Sequence, residues 1–238
     1  MEYIPEMIKH LEDQSLVPDC IYFNLPYRSI KEDKPYPKFK LPKTSLNVIV
    51  NRCEDHGPLT KILPTLDREK DPNTLILTLD DDVVYQDYVI EKLVKAIADT
   101  DKTVYSFSGW NYMDCPLIYP RKGTDMIPFY CWSGVENFVH GISGAIYRRS
   151  FFGDDFHNLE ECWTCDDILL SKYLSLHGIM MVKINELWYK RQISNEICLF
   201  SVNSKELPYS KCVRSCDKEW PRKDNIDTVC YLNAETDK

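Results

Sequence analysis

The sequence has no long apolar run and no excess of basic side chains, and each absence argues against a class of function. No stretch approaches the ~20 consecutive apolar residues of a membrane-spanning helix. The segment Met1–Glu6 lacks the basic and apolar regions of a signal peptide. With 37 acidic against 29 basic residues, the net charge of −8 argues against a nonspecific nucleic-acid surface. We therefore expect a soluble, cytoplasmic protein with no transmembrane segment and no nucleic-acid partner.

Several short catalytic motifs are also missing. The chain contains no glycine-rich phosphate loop of the GxxxxGK[ST] kind, no heptad run and no internal repeat. Its five histidines are scattered and show no paired metal-binding spacing such as HExxH. The sequence therefore offers neither a P-loop nor an HExxH metal site.

Ten cysteines are many for a chain without a secretion signal. We expect these thiols to stay reduced, which makes a disulfide framework the minority interpretation. Cys162 and Cys165 have the spacing of half a zinc site, and Cys212 with Cys216 could supply the other half. Small buried thiols are the simpler interpretation.

The most informative feature that is present is a run of three aspartates. Asp80–Asp82 stand between the apolar run Leu75–Leu79 and the apolar pair Val83–Val84. Like charges at the end of a buried strand repel one another, so a cation or strong hydrogen-bond donors must compensate them. Oxygen-only ligands favour Mg²⁺, Mn²⁺ or Ca²⁺. A turn or a helix cap would explain one of these aspartates, but it explains three poorly.

Apolar segments of strand length alternate with helical patterns, which predicts a single α/β domain over residues 1–238. The expected strands are 20–25, 46–50, 75–79, 103–107, 138–147 and 179–184, and a loop-like segment at 141–144 should interrupt the fifth of them. The expected helices are 57–66, 87–100 and 166–177. Pro64 should shorten or bend the first helix, and the proline-rich segment 26–43 should be a surface excursion.

Charged residues follow two of the expected strands. In an open α/β sheet, ligands bind outside the carboxyl ends of the strands. Asp80–Asp82 follow one such end and Arg52–Asp55 follow another, so a cation, an anion-binding arginine and a base-reading carboxylate could line one crevice. Alternatively, Arg52 and Asp55 only pair with each other across a turn.

Several segments of the sequence resemble the motifs of a known enzyme family. Asp80–Asp82 after an apolar strand resembles the DxD motif of nucleotide-sugar glycosyltransferases with the GT-A fold. Cys165-Asp166-Asp167 resembles the element that supplies the base in many inverting members, with Asp in place of the usual Glu. The segment 140–145 resembles their glycine-containing sugar-pocket loop, and 52–61 looks most like the small glycosyltransferases of large DNA viruses, of the chlorella-virus type.

The resemblance covers about residues 20–190 and implies a GT-A, Rossmann-like fold. Its central sheet would be mixed and mostly parallel, flanked by helices in one domain. Residues 20–105 would form the nucleotide-binding half and 106–190 the acceptor-binding half. The C-terminal tail, 191–238, would fold over the crevice or pack along the sheet. A viral member would act in the host cytoplasm.

The resemblance also implies a reaction, a metal and a set of binding residues. Mn²⁺ or Mg²⁺ would be held by Asp82 and Asp80, while Asp80 and Asp81 would contact the ribose or the metal's water shell. Asp167, or failing that Asp166, would take the proton of a glycan hydroxyl that attacks the sugar of a nucleotide-sugar donor, with inversion. The donor, by default a UDP sugar, would contact Pro26, Tyr27, Arg52, Asp55, Lys61, Asp80, Asp81, His140 and Gly141.

Some of these binding roles have plain structural alternatives. Lys61 could be an ordinary solvated lysine, and His140 could be a packed strand residue bonded to backbone. Five aromatic residues could stack on sugar faces or belong to the core: Trp110, Tyr112, Tyr119, Tyr130 and Trp132.

Two other functional classes remain open. A phosphotransferase, phosphatase or nucleotidyltransferase would use similar carboxylates and metal. However, haloacid-dehalogenase phosphatases carry Asp-x-Asp after the first strand, and nucleotidyltransferases usually have a glycine- and lysine-rich loop near the N-terminus. A noncatalytic sugar-nucleotide-binding module is the third class, and the acids at both 80–82 and 166–167 disfavour it.

Overall fold

The computed structural model describes residues 4–110, 134–136, 138–158 and 166–192, which form a mixed α/β structure. Its α-helices within this part of the chain are α1 (Ile4–Glu12), α2 (Leu63–Arg68), α3 (Val89–Ala98) and α4 (Asp166–Leu176). Its strands are β1 (Ile21–Pro26), β2 (Arg28–Ser29), β3 (Lys34–Pro35), β4 (Val48–Cys53), β5 (Leu75–Thr78), β6 (Val83–Tyr85), β7 (Thr103–Ser106), β8 (Gly109–Trp110), β9 (Gly134–Glu136), β10 (Phe138–Val139), β11 (Ala145–Arg148), β12 (Met180–Lys183) and β13 (Tyr189–Gln192).

A five-stranded mixed sheet, in the order β5-β11-β7-β12-β9, forms the centre of the structure. β7 and β12 pair in parallel, whereas β11 is antiparallel to both β5 and β7, and β9 is antiparallel to β12. β1 and β4 form a separate parallel pair. The mixed sheet is as expected, but antiparallel pairing predominates within the five strands, because β11 runs in the reverse direction between β5 and β7.

Helices cover the sheet through apolar side chains at helical spacing. In α3, Val89, Leu93 and Ile97 are fully buried in the main core cluster, which also contains residues of α2 and α4. α1 buries one face in a second cluster, where it meets Leu46 and Ile90. α1 was not among the expected helices, although its buried residues are spaced three and four positions apart.

The helix expected over 57–66 is divided in two. Leu59–Lys61 form a 3₁₀-helix, and α2 starts anew because Ile62 leaves helical backbone angles (φ −123°, ψ −46°). Pro64 lies in the first turn of α2, where a missing N–H breaks no helical hydrogen bond. The proline therefore sits at the start of a helix, and the bend precedes it.

Two short pairings were not anticipated. β2 and β3 form an antiparallel hairpin inside the segment 26–43, with Arg28 opposite Pro35. β13 pairs antiparallel with β6, so that Gln192 lies opposite Val83. The second pairing places the last described strand directly beside the residues that follow the aspartate run.

Three further expectations concern membrane-spanning helices, the cysteines and the C-terminal tail. No described helix is long and apolar enough to cross a bilayer. Cys20 and Cys53 are free thiols, as expected, but they are half-buried, so the interpretation as small buried thiols holds for them only in part. The other cysteines, including Cys162 and Cys165, lie outside the described residues, as do all residues after Gln192.

Candidate active site

Two strand ends and one strand start meet at one edge of the five-stranded sheet. β5 ends at Thr78 and β7 ends at Ser106, and both residues pair with Ala145, the first residue of β11. The segments that follow Thr78 and precede Ala145 are therefore neighbours in space. This register places the aspartates 80–82 beside residues 140–144.

A buried tyrosine, Tyr85, connects these two segments through hydrogen bonds. The backbone N–H of Asp80 donates to the Tyr85 hydroxyl at 2.9 Å, and that hydroxyl donates to the carbonyl of Ile142 at 2.9 Å. Burial, reinforced by the Asp80 carboxylate, raises the pKa of Tyr85 well above its usual range, so the hydroxyl keeps its proton. The turn after β5 is thus tied to the 3₁₀-helix Gly141–Ser143.

A lysine joins the aspartate run to the first turn of α4. Lys61 Nζ lies 2.8 Å from Asp80 Oδ1 and 3.1 Å from Asp166 Oδ2. Burial alone would lower the pKa of Lys61, but the carboxylates of Asp166, Asp80 and Asp167 outweigh it and raise that pKa well above its usual range. Only 21% of the lysine side chain is exposed, so the solvated-lysine alternative is wrong.

The two acids in the first turn of α4 have different environments. Asp166 is buried, and its Oδ2 meets Lys61 in an ion pair that lacks hydrogen-bond geometry. Asp167 Oδ1 accepts the N–H of Gly141 at 2.7 Å. Burial, and then the Asp166 carboxylate, raise the pKa of Asp167 to about 7, against the opposing effects of Lys61 and the Gly141 N–H. Asp167 can therefore gain and lose a proton near neutral pH.

Gly141 lies beside Lys61 and Asp167 and presents only backbone atoms to them. A Cβ atom built at Gly141 would lie 3.1 Å from Lys61 Nζ and 3.2 Å from Asp167 Oδ1. Any side chain would thus crowd both charged groups. The absence of a side chain lets the backbone N–H reach the Asp167 carboxylate.

His140 is held inside the fold. Its ring Nδ1 lies 3.1 Å from Ser108 Oγ, and its backbone N–H donates to the carbonyl of Ser108 at 3.0 Å. Burial, with the nearby Lys183 ammonium, lowers the pKa of His140 to about 4. The imidazole is therefore neutral at physiological pH. His140 is packed as the structural alternative expected, but it lies between β10 and the 3₁₀-helix and not in a strand, and its ring Nδ1 contacts a side-chain hydroxyl.

No family model matches the sequence, and no curated protein matches it either.

The residues expected to frame the nucleotide lie at the ends of β1 and β4. Pro26 is buried at the end of β1, while Tyr27 beyond it is 54% exposed. The Arg52 guanidinium lies over the Tyr27 ring, 5.2 Å from its centroid. An exposed ring with a stacked cation is a surface on which a planar base can rest.

Asp55 is committed to local structure. One carboxylate oxygen accepts the N–H of Ile30 at 2.8 Å, and the other accepts the N–H of Gly57 at 2.8 Å. No ion pair joins Arg52 to Asp55 in the described part of the chain, so the alternative of a simple pair across the turn is wrong. The two contacts hold the backbone of the loops at Ile30 and Gly57 in place beside Tyr27 and Arg52.

Strand β1 connects the residues at its own end, Pro26 and Tyr27, to the group of charged side chains around Lys61. Asn24 Nδ2 donates to Thr65 Oγ1 at 2.9 Å and to the carbonyl of Lys61 at 3.4 Å. The same strand therefore leads to Pro26 and positions the lysine that contacts Asp80. The two halves of the expected site are neighbours.

The expected metal ligands are only partly assembled. Asp81 is exposed and Asp82 is half-buried, in the turn that leads into β6. Among the described residues, no three His, Cys, Asp or Glu side chains are grouped to hold a metal ion. The available donors are carboxylate oxygens, which suit Mn²⁺ or Mg²⁺. Asp80 Oδ1 already pairs with Lys61 at 2.8 Å.

Sequence reasoning missed three residues that shape the site. Tyr85 and Ser108 hold Asp80 and His140 in place, and Lys183 contributes charge beside His140. Only Lys183 gave a signal, as a lysine inside an expected core strand. Four of the candidate stacking residues lie outside the described part of the chain, and for the fifth, Trp110, only the backbone is described.

Proposed function

We propose that this chain is a metal-dependent glycosyltransferase of the GT-A type, which transfers a sugar from a nucleoside-diphosphate sugar, by default UDP-linked, to a glycan hydroxyl. The observation that supports this proposal best is the convergence of Asp80, Lys61, Gly141 and Asp167 at one sheet edge. Sugar transfer needs charge stabilisation for a departing diphosphate and a base for the acceptor within one crevice.

Asp167 is the proposed proton acceptor. Its pKa of about 7 leaves much of the carboxylate ionised at neutral pH, and the hydroxyl becomes acidic only as the new bond forms. The Gly141 N–H donates to Asp167 Oδ1 and holds the carboxylate in place. Asp166 is not the base in this proposal, because it is buried against Lys61.

The departing diphosphate would lie beside the aspartates 80–82. Asp82 would hold Mn²⁺ or Mg²⁺, which supplies charge neutralisation for the departing diphosphate. The Lys61 ammonium keeps Asp80 and Asp166 in place at the same edge. Tyr27 and Arg52 would carry the base of the nucleotide.

The stereochemical outcome follows from the assigned base. The acceptor hydroxyl gives its proton to Asp167 while its oxygen attacks the anomeric carbon on the face opposite the diphosphate. One new C–O bond forms as the bond to the diphosphate breaks. A single displacement of this kind inverts the anomeric configuration.

A turnover assay tests the proposal. Nucleotide sugars would be incubated with the wild-type chain, with Mn²⁺ or with chelator, and with a panel of glycan acceptors, and released nucleoside diphosphate would be measured. We expect release with one donor, only with metal, and its loss in Asp167→Asn. Release of inorganic phosphate without sugar transfer would instead assign a phosphatase activity. No release from any donor with any acceptor would contradict the proposal.

A further inference from the structure

The candidate active site contains a cation of its own. Lys61 Nζ is within 3.1 Å of carboxylate oxygens from both sides of the cluster, Asp80 and Asp166. The side chains of these acids are 25% and 11% exposed, so solvent screens the contacts only in part. The ammonium thus offsets one of the negative charges that a metal ion would otherwise meet.

Lys61 is held in this position from several directions. It ends the 3₁₀-helix Leu59–Lys61, and its carbonyl accepts a hydrogen bond from Asn24 on β1. A Cβ atom at Gly141 would lie only 3.1 Å from Lys61 Nζ, so the bare backbone there leaves room beside the ammonium. A lysine fixed at both backbone and ammonium cannot move aside freely.

An ammonium and a divalent cation compete for the same carboxylate. A metal ion that bound Asp80 Oδ1 would lie next to the Lys61 ammonium, and the two positive charges would repel each other. A bound diphosphate changes this balance, because its negative charges attract both cations. The protein alone therefore presents a weakened metal site, and the protein with nucleotide presents a complete one.

We propose that Lys61 is an internal counter-cation that withholds Asp80 from a divalent cation, so that metal binds strongly only together with the donor diphosphate. Metal ligation by the protein then rests on Asp82. This inference rests on the proposed function of the site, but it concerns binding and not turnover. It makes Lys61 a positioning residue.

Binding of Mn²⁺ without nucleotide tests the inference, with free Mn²⁺ followed by electron paramagnetic resonance. Removing the ammonium exposes one more charged ligand, so Lys61→Met is expected to bind Mn²⁺ roughly tenfold more tightly than wild type. Asp80→Asn in the wild-type background is expected to change this affinity less than about twofold, because Asp80 is already engaged. The double variant Lys61→Met/Asp80→Asn should lose the gain.

Control variants separate this effect from a general loss of positive charge. Lys61→Arg keeps the charge and should show no gain in Mn²⁺ affinity. Lys92→Met removes a lysine that pairs with Glu186 on the surface, and it should show none either. If Lys61→Met does not fold, Lys61→Met/Asp166→Asn removes the ion pair as a unit and still exposes Asp80.

The outcomes distinguish the inference from the proposed function. Equal Mn²⁺ affinity in wild type and the Lys61→Met variants would overturn the inference, as would a large loss in Asp80→Asn alone. A gain that persists in Lys61→Met/Asp80→Asn would also overturn it, because the effect would then be a nonspecific charge effect. Failure of wild type to bind Mn²⁺ with UDP would count against the proposed function instead.

Discussion

At the scale of single residues, the surroundings of Asp167 bring the pKa of its carboxyl to about 7, close to neutral pH. Its raised pKa predicts that kcat/KM is constant above about pH 7 and falls roughly tenfold for each pH unit below it. The measurement is a pH profile of sugar transfer with saturating metal. A flat profile down to pH 5 would show that Asp167 does not act as the base.

The same carboxylate should reduce stability where it is ionised. Because its folded-state pKa is raised from 3.8 to about 7, its contribution to stability is full below pH 3.8 and is lost as the pH rises through about 7. Asp167→Asn should therefore raise Tm by roughly 2–4 °C at pH 8, for a gain of about 1 kcal/mol, and by little at pH 4.

A matched variant makes the stability measurement specific. Asp101 is exposed on the turn between α3 and β7. Asp101→Asn should show no pH-dependent gain in the same thermal denaturation series. Equal gains in the two variants would mean that net charge, and not the buried site, causes the effect.

Tyr85 gives a third test at this scale. Tyr85→Phe would leave the Asp80 N–H and the Ile142 carbonyl without their shared partner, at a cost of about 1–3 kcal/mol in the free energy of unfolding. Tyr88→Phe is the control, because the Tyr88 hydroxyl donates to the Leu187 carbonyl at an exposed position. Denaturant unfolding of both proteins gives the comparison, and an equal loss would contradict the bridging role of Tyr85.

At the scale of secondary-structure elements, two glycines should behave in opposite ways. Gly141→Ala should reduce sugar transfer roughly tenfold or more with little change in Tm, because its Cβ would crowd Lys61 and Asp167 and shift groups that must stay in place. Gly178→Ala should leave transfer intact and cost about 1 kcal/mol, because Gly178 has φ +68° and open space around it. Turnover and thermal denaturation of both variants would show whether the two effects separate.

Most secondary-structure elements were predictable from local patterns in the sequence, and the elements that were missed lack such a pattern. β5 and α3 were anticipated because a strand-length apolar run and helical spacing are local signals. β6 and β13 were not, because each is three or four residues long and they pair across a long stretch of chain. The division at Ile62 depends on one residue's backbone angles, which no pattern of apolar residues specifies.

The site was predictable as a set of motifs and not as a set of contacts. The aspartate run and the acids of α4 stand out in the sequence, but nothing local indicates that Lys61 joins them. Asp55 resembled a base-reading group, yet its oxygens accept backbone N–H groups from two loops. Contacts between distant segments depend on the register of β11, which only the assembled sheet determines.

At the scale of the whole molecule, the acidic balance of the chain extends to the candidate site, where Lys61 lies among the carboxylates of Asp80, Asp166 and Asp167. The chain carries a net charge of −8, which should repel an anionic nucleotide in general. The Lys61 ammonium is offset by Asp80 and Asp166, so a bound divalent ion would supply the positive charge that a diphosphate needs there. Binding of a nucleoside diphosphate should therefore depend strongly on metal.

Calorimetric titration of UDP into the wild-type chain tests the central claim most directly, with Mn²⁺ and then with chelator, and with Asp82→Ala and Asp167→Asn for comparison. The account predicts binding only with metal, loss of binding in Asp82→Ala, and unchanged binding in Asp167→Asn. Equal binding with chelator, or equal loss in both variants, would contradict the division of this sheet edge into a metal–diphosphate side and a base.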